Sequence, residues 1–400
     1  MTDTARREYR RTLGLVSLAH MYSHISILAL PPVFVFLRAE FDLSGAELGL
    51  LVTLVSVGML AQVPLGEVVD RVGAKWPLAA GQALTALGIG LTAVAPSYPW
   101  LLVGAGVIGL GQAPIHPANY ALVATVATAR TLGRSFSVHT FGGYVGFAVG
   151  PVLIGAAAVS IGWRAGLGAL ALAGLTYAVV LGVGLQPLYR RSMTARGADP
   201  SAGGRTYTAA IAFLGVFFIV SSGAEKGLQA FTPLFVIDGL AGSVTAGSNA
   251  LAVFFGLTAV SVLIGGVLAD RFDPRWNIAV ATTIVAVALA PVLLLQTPVE
   301  AVILALFALA GGGYGLMFAS RDRLVSTSSA EGAVGRSFGF VFSAEAVGGI
   351  VAPVGFGVII DAVSIQSAFV VTLGLFVAAG LLALLQDRSG GRAGAAVSGQ

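Results

Sequence analysis

The stretch Gly66-Glu67-Val68-Val69-Asp70-Arg71-Val72-Gly73-Ala74-Lys75 is a charged turn set between two long apolar runs. It returns as Gly266-Val267-Leu268-Ala269-Asp270-Arg271-Phe272-Asp273-Pro274-Arg275. Both copies read G-x-x-x-D-R and carry a base at the tenth position. A single copy is only a short pattern. Two copies, each flanked by runs long enough to cross a membrane, indicate that the chain itself is duplicated. An ordinary loop rich in Gly and Arg would not account for repetition beyond the motif.

The 400 residues are 56% hydrophobic and 10% charged, where soluble domains carry about 25% charged residues. Mean hydropathy is +0.91. So few charges cannot cover a water-facing surface, and lipid is the expected solvent. The 54 glycines suit helices that pack closely in a membrane. The absence of cysteine excludes disulfides, thiolate metal sites and cysteine nucleophiles. The sequence pI near 9.6 does not point to nucleic acid, because the bases lie in short loops, where membrane orientation explains them.

Apolar segments fall near 12–37, 45–68, 76–95, 99–122, 134–158 and 163–186, and again near 207–237, 245–268, 275–296, 299–320, 335–360 and 364–386. Each reaches the roughly 20 residues that span hydrocarbon. The first lacks a small-residue cleavage site and is read as a retained helix. Pro31-Pro32 should bend or end it. The polar stretch 187–206 reads as a linker between two units, 1–186 and 207–386, and the Gly-, Ala- and Ser-rich tail 387–400 as disordered. An even number of spans puts both termini on one face. Most bases fall on that face, Arg71, Arg134, Arg271 and Arg336 among them, and Arg38 and Arg164 on the other. The positive-inside rule then makes the termini cytoplasmic in a multi-pass plasma-membrane protein.

The halves repeat in detail. Gly133-Arg134-Ser135-Phe136 matches Gly335-Arg336-Ser337-Phe338 at an offset of 202 (338 − 136), close to the 200 of the charged turn (270 − 70). Pro151 matches Pro353 at the same 202 (353 − 151). The charged turn resembles the signature loop of the major facilitator superfamily, which joins helices 2–3 and 8–9, and the resemblance covers about 12–386. It implies an all-α integral membrane protein of twelve transmembrane helices in two pseudo-symmetric six-helix bundles. It also implies that the loop stabilises the state open to the outside and opens when the transporter turns inward. Transferred here, those gating roles fall on Asp70, Arg71 and Gly73, and in the second copy on Asp270 and Arg271. Their partners are the helix starts at Arg336 and Arg134, where unpaired N–H groups favour a carboxylate. The second copy has Asp273 in place of the turn glycine.

Two further stretches extend the resemblance. Gly109-Leu110-Gly111-Gln112-Ala113-Pro114-Ile115-His116-Pro117 is similar to exporters of the fosmidomycin-resistance type. Gly146-Phe147-Ala148-Val149-Gly150-Pro151 resembles the helix-5 motif of antiporters in the superfamily; a packing-and-kink device is the other reading of it.

Ionisable residues at membrane depth are costly, so each is a candidate for function. His20 and His24 lie one turn apart on the first helix. His24 is read as facing the cavity and His20 as hydrogen-bonded within the bundle. His116 either faces the cavity or bonds a carbonyl freed by Pro117, and a structural role is assigned to His139. Glu225 and Lys226 lie mid-helix among Ser221-Ser222-Gly223-Ala224 and Gly227, and the glycines suggest a broken helix, as at many transporter sites. Glu225, and after it Glu345, are the candidate proton carriers. A static ion pair with Lys226 or an arginine is the alternative. Arg321 should end the tenth helix, either as a gate or in a solvated loop.

The expectation is a secondary active transporter that moves a small organic solute by alternating access, exporting it against protons. Proton-coupled or facilitated uptake is the alternative within transport, and a transporter-like membrane sensor the alternative outside it. Beside lipid, the partners are the solute and protons, with no nucleic acid, and the chain is read as a monomer. No Walker loop or catalytic motif suggests an enzyme. His20 and His24 have metal-ligand spacing, but no third ligand is evident from sequence, so neither a metal nor a cofactor is expected.

Overall fold

The computed structural model describes residues 3–128, 130–185, 209–295, 299–330 and 334–386. The expected linker 187–206 and tail 387–400 lie outside the described residues. Within them the chain is helical and forms no strand. In hydrocarbon no water can serve backbone N–H and C=O groups, and a helix satisfies them within each apolar run.

The first half comprises α1 (Asp3–Phe41), α2 (Gly45–Val72), α3 (Lys75–Ala93), α4 (Tyr98–Val126), α5 (Leu132–Ser160) and α6 (Trp163–Gly184). The second comprises α7 (Ala209–Gly239), α8 (Val244–Arg271), α9 (Pro274–Leu294), α10 (Glu300–Ser328), α11 (Val334–Ala362) and α12 (Ile365–Leu385). All but α3 are long and apolar enough to cross a membrane; in α3 the apolar run is diluted by Lys75, Gln82, Thr85 and Thr92.

Helix ends follow the local sequence. Ser44 and Glu47 form a reciprocal capping box at the start of α2, and Ser243 and Ser364 cap α8 and α12. Gly73 closes the first signature turn at φ +87°, a conformation that favours glycine. In the second turn Asp273 takes over by accepting the Arg275 N–H at the start of α9.

Several helices are interrupted. The α-helical part of α1 ends at Ile27, passes through a 3-10 turn at Pro31–Val33 and resumes at Phe34, where the paired prolines deny the ladder two donors. α4 breaks between Gln112 and Ile115 at Pro114, and α10 breaks at Met317. Pro114 shifted by 202 is Leu316, so the two breaks are symmetry equivalents although only one contains proline. Two expectations fail. α7 is unbroken α-helix from Ala209 to Leu234, and its only irregularity is a π turn at Phe235–Gly239. Its glycines serve packing instead: a methyl on Gly227 would strike the Phe356 ring of α11. α10 continues to Ser328, so Arg321 lies within the helix and not at its end.

The halves join at the face opposite the signature loops. The Asp361 carboxylate, at the end of α11, accepts the Gly45 and Ala46 N–H groups at 2.6 and 2.8 Å, at the start of α2. Arg38 of α1 pairs with Asp238 of α7 at 2.6 Å. A side chain on Gly49 would overlap the Pro353 carbonyl, and one on Gly357 the Gly45 carbonyl. The seam persists to Thr53, whose hydroxyl donates to the Ile350 carbonyl at 2.7 Å. Past Leu60 and Ala61, α2 restarts at Gln62 and leans on α4, where Gly66 meets Pro117.

Candidate functional site

Polar side chains gather on the faces that the two halves present to each other. In the C-terminal half they are charged. Gln229 donates to Glu225 at 2.5 Å and accepts from Lys226 at 2.9 Å, so one amide, a turn further along α7, joins the carboxylate and the ammonium. The Lys226 Nζ is 3.9 Å from Glu225, so the ion pair that successive positions did not require is present at its outer limit. Tyr314 of α10 faces Glu225. Arg321, also on α10, is buried and lies 3.5 Å from Glu345 of α11 and 3.4 Å from Asp322. Its guanidinium rests against the Phe318 and Phe218 rings at 4.5 and 5.0 Å. Arg321 is therefore not a solvated loop residue; the continued helix carries it into the polar network.

In the N-terminal half the corresponding positions are neutral. With the offset of 202, Ser23 corresponds to Glu225, His24 to Lys226, Gln112 to Tyr314, Asn119 to Arg321 and Gly143 to Glu345. The Ser23 hydroxyl donates to Gln112 at 2.5 Å, on the same helix pair as Glu225 and Tyr314 in the other half. Asn119 is fully buried with both amide atoms lacking a protein partner.

All four histidines of the chain meet here. The His20 ring centroid is 4.3 Å from that of His24, 5.1 Å from His116 and 4.1 Å from His139. The rings come from α1, α4 and α5. Sequence reading separated His20 and His139 from the cavity histidines; the fold unites them. Helical spacing pairs only His20 with His24, and nothing in sequence sets α4 and α5 against α1. Gly143 makes the room for this meeting: a methyl there would strike both the His20 and His24 rings.

Aromatic side chains bridge the two clusters. Phe147 of α5 contacts His24 at 4.0 Å and Phe255 of α8 at 4.8 Å between centroids. Tyr144 of α5 meets Phe318 of α10 at 6.3 Å. Tyr144, Tyr314 and Gln229 were not singled out from sequence, because an uncharged polar side chain in an apolar run carries no distinguishing pattern.

Apart from Arg321, the residues expected to gate lie away from this site, on the signature face. Asp70, Arg71, Asp270, Arg271, Arg134 and Arg336 are exposed. Arg71 pairs with Glu67 on its own helix at 3.2 Å.

Two six-helix halves, joined at one face and enclosing polar groups between them, define a membrane transporter fold. The model of the Major Facilitator Superfamily matches residues 16–248 and 211–398, and the chain belongs to that superfamily. It is 29% identical over 142 residues to the fosmidomycin resistance protein of Escherichia coli (strain K12), a match that spans 35% of either chain. It is 26% identical over 272 residues to the "Probable nitrate transporter NarT" of Staphylococcus epidermidis, spanning 66% of each. Among solved structures, a bacterial homolog of the human lysosomal transporter Spinster, in an inward-facing and occupied conformation, superposes with TM-score 0.80. That match has 17% identity and covers 94% of this chain and 96% of the other, so the likeness is one of fold.

Proposed function

We propose that this protein is a secondary active transporter that exports a small organic solute in exchange for protons by alternating access. The observation that carries the reading is the half-buried Glu225, held by Gln229 and facing Tyr314 and Lys226 between the two halves. A carboxylate placed there can lose its proton to one side and regain it from the other as the cavity alternates. Competition of solute and proton for the same open state is what exchange requires. His24, beside Phe147, and His116 supply adjustable donors and acceptors on the opposite wall, and Glu345 holds Arg321 in place. With the signature loops and both termini taken as cytoplasmic, the closed face is the outer one and the cavity opens inward, ready to load cytoplasmic solute. The fosmidomycin resistance relative is named for resistance to a small organic compound, which fits export; the name of the nitrate transporter relative carries no direction.

The test is reconstitution into proteoliposomes with an imposed pH gradient, screened against a panel of solutes. Native protein should accumulate its solute against the proton gradient. Glu225→Gln should abolish that accumulation while solute binding persists and no longer varies with pH. Accumulation in the direction of proton flow would replace export by uptake. Full solute-induced proton release from Glu225→Gln would remove the role from Glu225 and pass it to Glu345 or to the α1 histidines.

A further inference from the structure

Three histidines of the N-terminal half offer nitrogen atoms that all lie within 4.8 Å of one another: His20 and His24 from α1, and His116 from α4. We propose that these three side chains form a binding site for one divalent transition-metal ion of the zinc class, with His139 packed behind His20 as support. Metal binding of this kind does not depend on whether the chain moves a solute.

The state of the ring nitrogens carries the argument. His20 Nδ1 is 2.9 Å from the carbonyl oxygen of His139 and donates to it, which leaves Nε2 as a bare lone pair; that atom is buried and has no protein partner. His24 has the Gly143 backbone beside its ring, and its Nδ1 is likewise buried without a protein partner. A metal-ligating histidine typically donates its other N–H to a carbonyl or carboxylate, which fixes the tautomer and aims the lone pair. A buried nitrogen without a partner is costly at membrane depth, and one shared ion would engage the lone pairs of all three rings.

The surroundings fit. Zinc-class ions bind imidazole at about 2.0–2.1 Å, and three such bonds bring the nitrogens to about 3.4 Å from one another. Rotation of the rings from their present spacing closes that gap. Room for two imidazoles on adjacent turns exists because position 143 is glycine. The donor set has imidazoles only, without carboxylate or thiolate, and so selects zinc, cobalt or nickel over magnesium or calcium. His24 and His116 are only partly buried, which leaves the ion a path from the cavity. Lys226 is the charged group acting on His24; its charge is partly offset by the Glu225 carboxylate at 3.9 Å, and it donates to Gln229. Every ligand belongs to one half, so the ion does not bridge α1 to α7 and does not lock the alternation.

The experiment is Co2+ titration of the full chain, free of any affinity tag, in detergent, read by visible absorption. Native protein should take up one Co2+ with the intense bands of a low-coordinate nitrogen site, displaced by Zn2+. His116→Ala and His20→Ala should each weaken Co2+ binding by more than tenfold while the thermal unfolding midpoint shows the protein still folded. Gly143→Ala, which keeps every histidine and crowds two of them, should weaken it as well. X-ray absorption of the native Zn2+ form reads the ligands without any variant: three imidazoles in the shell support the site. No Co2+ uptake by native protein, binding unchanged in the histidine variants, or a shell with fewer than two imidazoles would each overturn it.

Discussion

Arg321 shows how a single side chain is fixed by its surroundings. It is buried between two phenylalanine rings and two carboxylates, and a planar guanidinium suits both kinds of neighbour at once. A lysine there would keep the charge but could neither stack flat nor present a planar fork of donors to the two carboxylates. Arg321→Lys should therefore reduce solute transport roughly tenfold, equivalent to the loss of about 1.4 kcal/mol of stacking and paired hydrogen bonding. Rates measured at equal membrane expression check this, and a native rate would exclude a part for the guanidinium. At the joined face, Asp361 accepts two N–H groups from the start of α2. Its charge there is favoured by the helix terminus, and Asp361→Asn should weaken closure by about 1–2 kcal/mol. Spin-label distances across the ends of α2 and α11 should then broaden toward longer values.

Among the elements, the α2–α11 seam depends on the small size of Gly49 and Gly357, since a methyl at either would meet backbone of the other helix. Backbone cannot yield as a flexible side chain can, so Gly49→Ala should force the seam apart and depopulate the closed arrangement. Gly374→Ala, on α12 with open space around it, is the matching control and should leave the distances unchanged. The same spin-label measurement reads both, and equal behaviour of the two variants would show that the seam does not rely on close backbone approach. The breaks in α4 and α10 make a related point. They occupy equivalent positions, yet only α4 has a proline there, so the break in α10 forms without one.

For the molecule as a whole, alternation requires the joined face to open while the signature face closes. With Arg71 turned to Glu67 on its own helix, the first signature loop has its acidic end at α2 and a helix start at α11 within the opposite half. Asp70→Asn should slow transport strongly and leave solute affinity nearly unchanged, because it shifts an equilibrium between states and not the site. Asp270→Asn should do less, since Asp273 already reshapes the second turn. Transport by Asp70→Asn at the native rate and equal expression would count against the latch, and a larger defect in Asp270→Asn would reverse the ranking of the two loops.

The sequence by itself determined the membrane class, the twelve helices, the doubled plan and the pairing of equivalent positions at 202 residues. Each of these depends on composition, on segment length or on repetition along the chain, which are properties of order in one dimension. It also singled out Glu225, Lys226, His24 and Glu345 as candidates, because charge and imidazole stand out in an apolar run. Tertiary structure alone decided that α7 runs unbroken past its glycines, since a glycine that unwinds a helix and one that admits a neighbour's ring look the same in sequence. It decided that Arg321 turns inward, because the helix continues about two turns beyond it, to Ser328. Tertiary structure also brought His20, His24, His116 and His139 together, since contact between α1, α4 and α5 arises only when the helices pack.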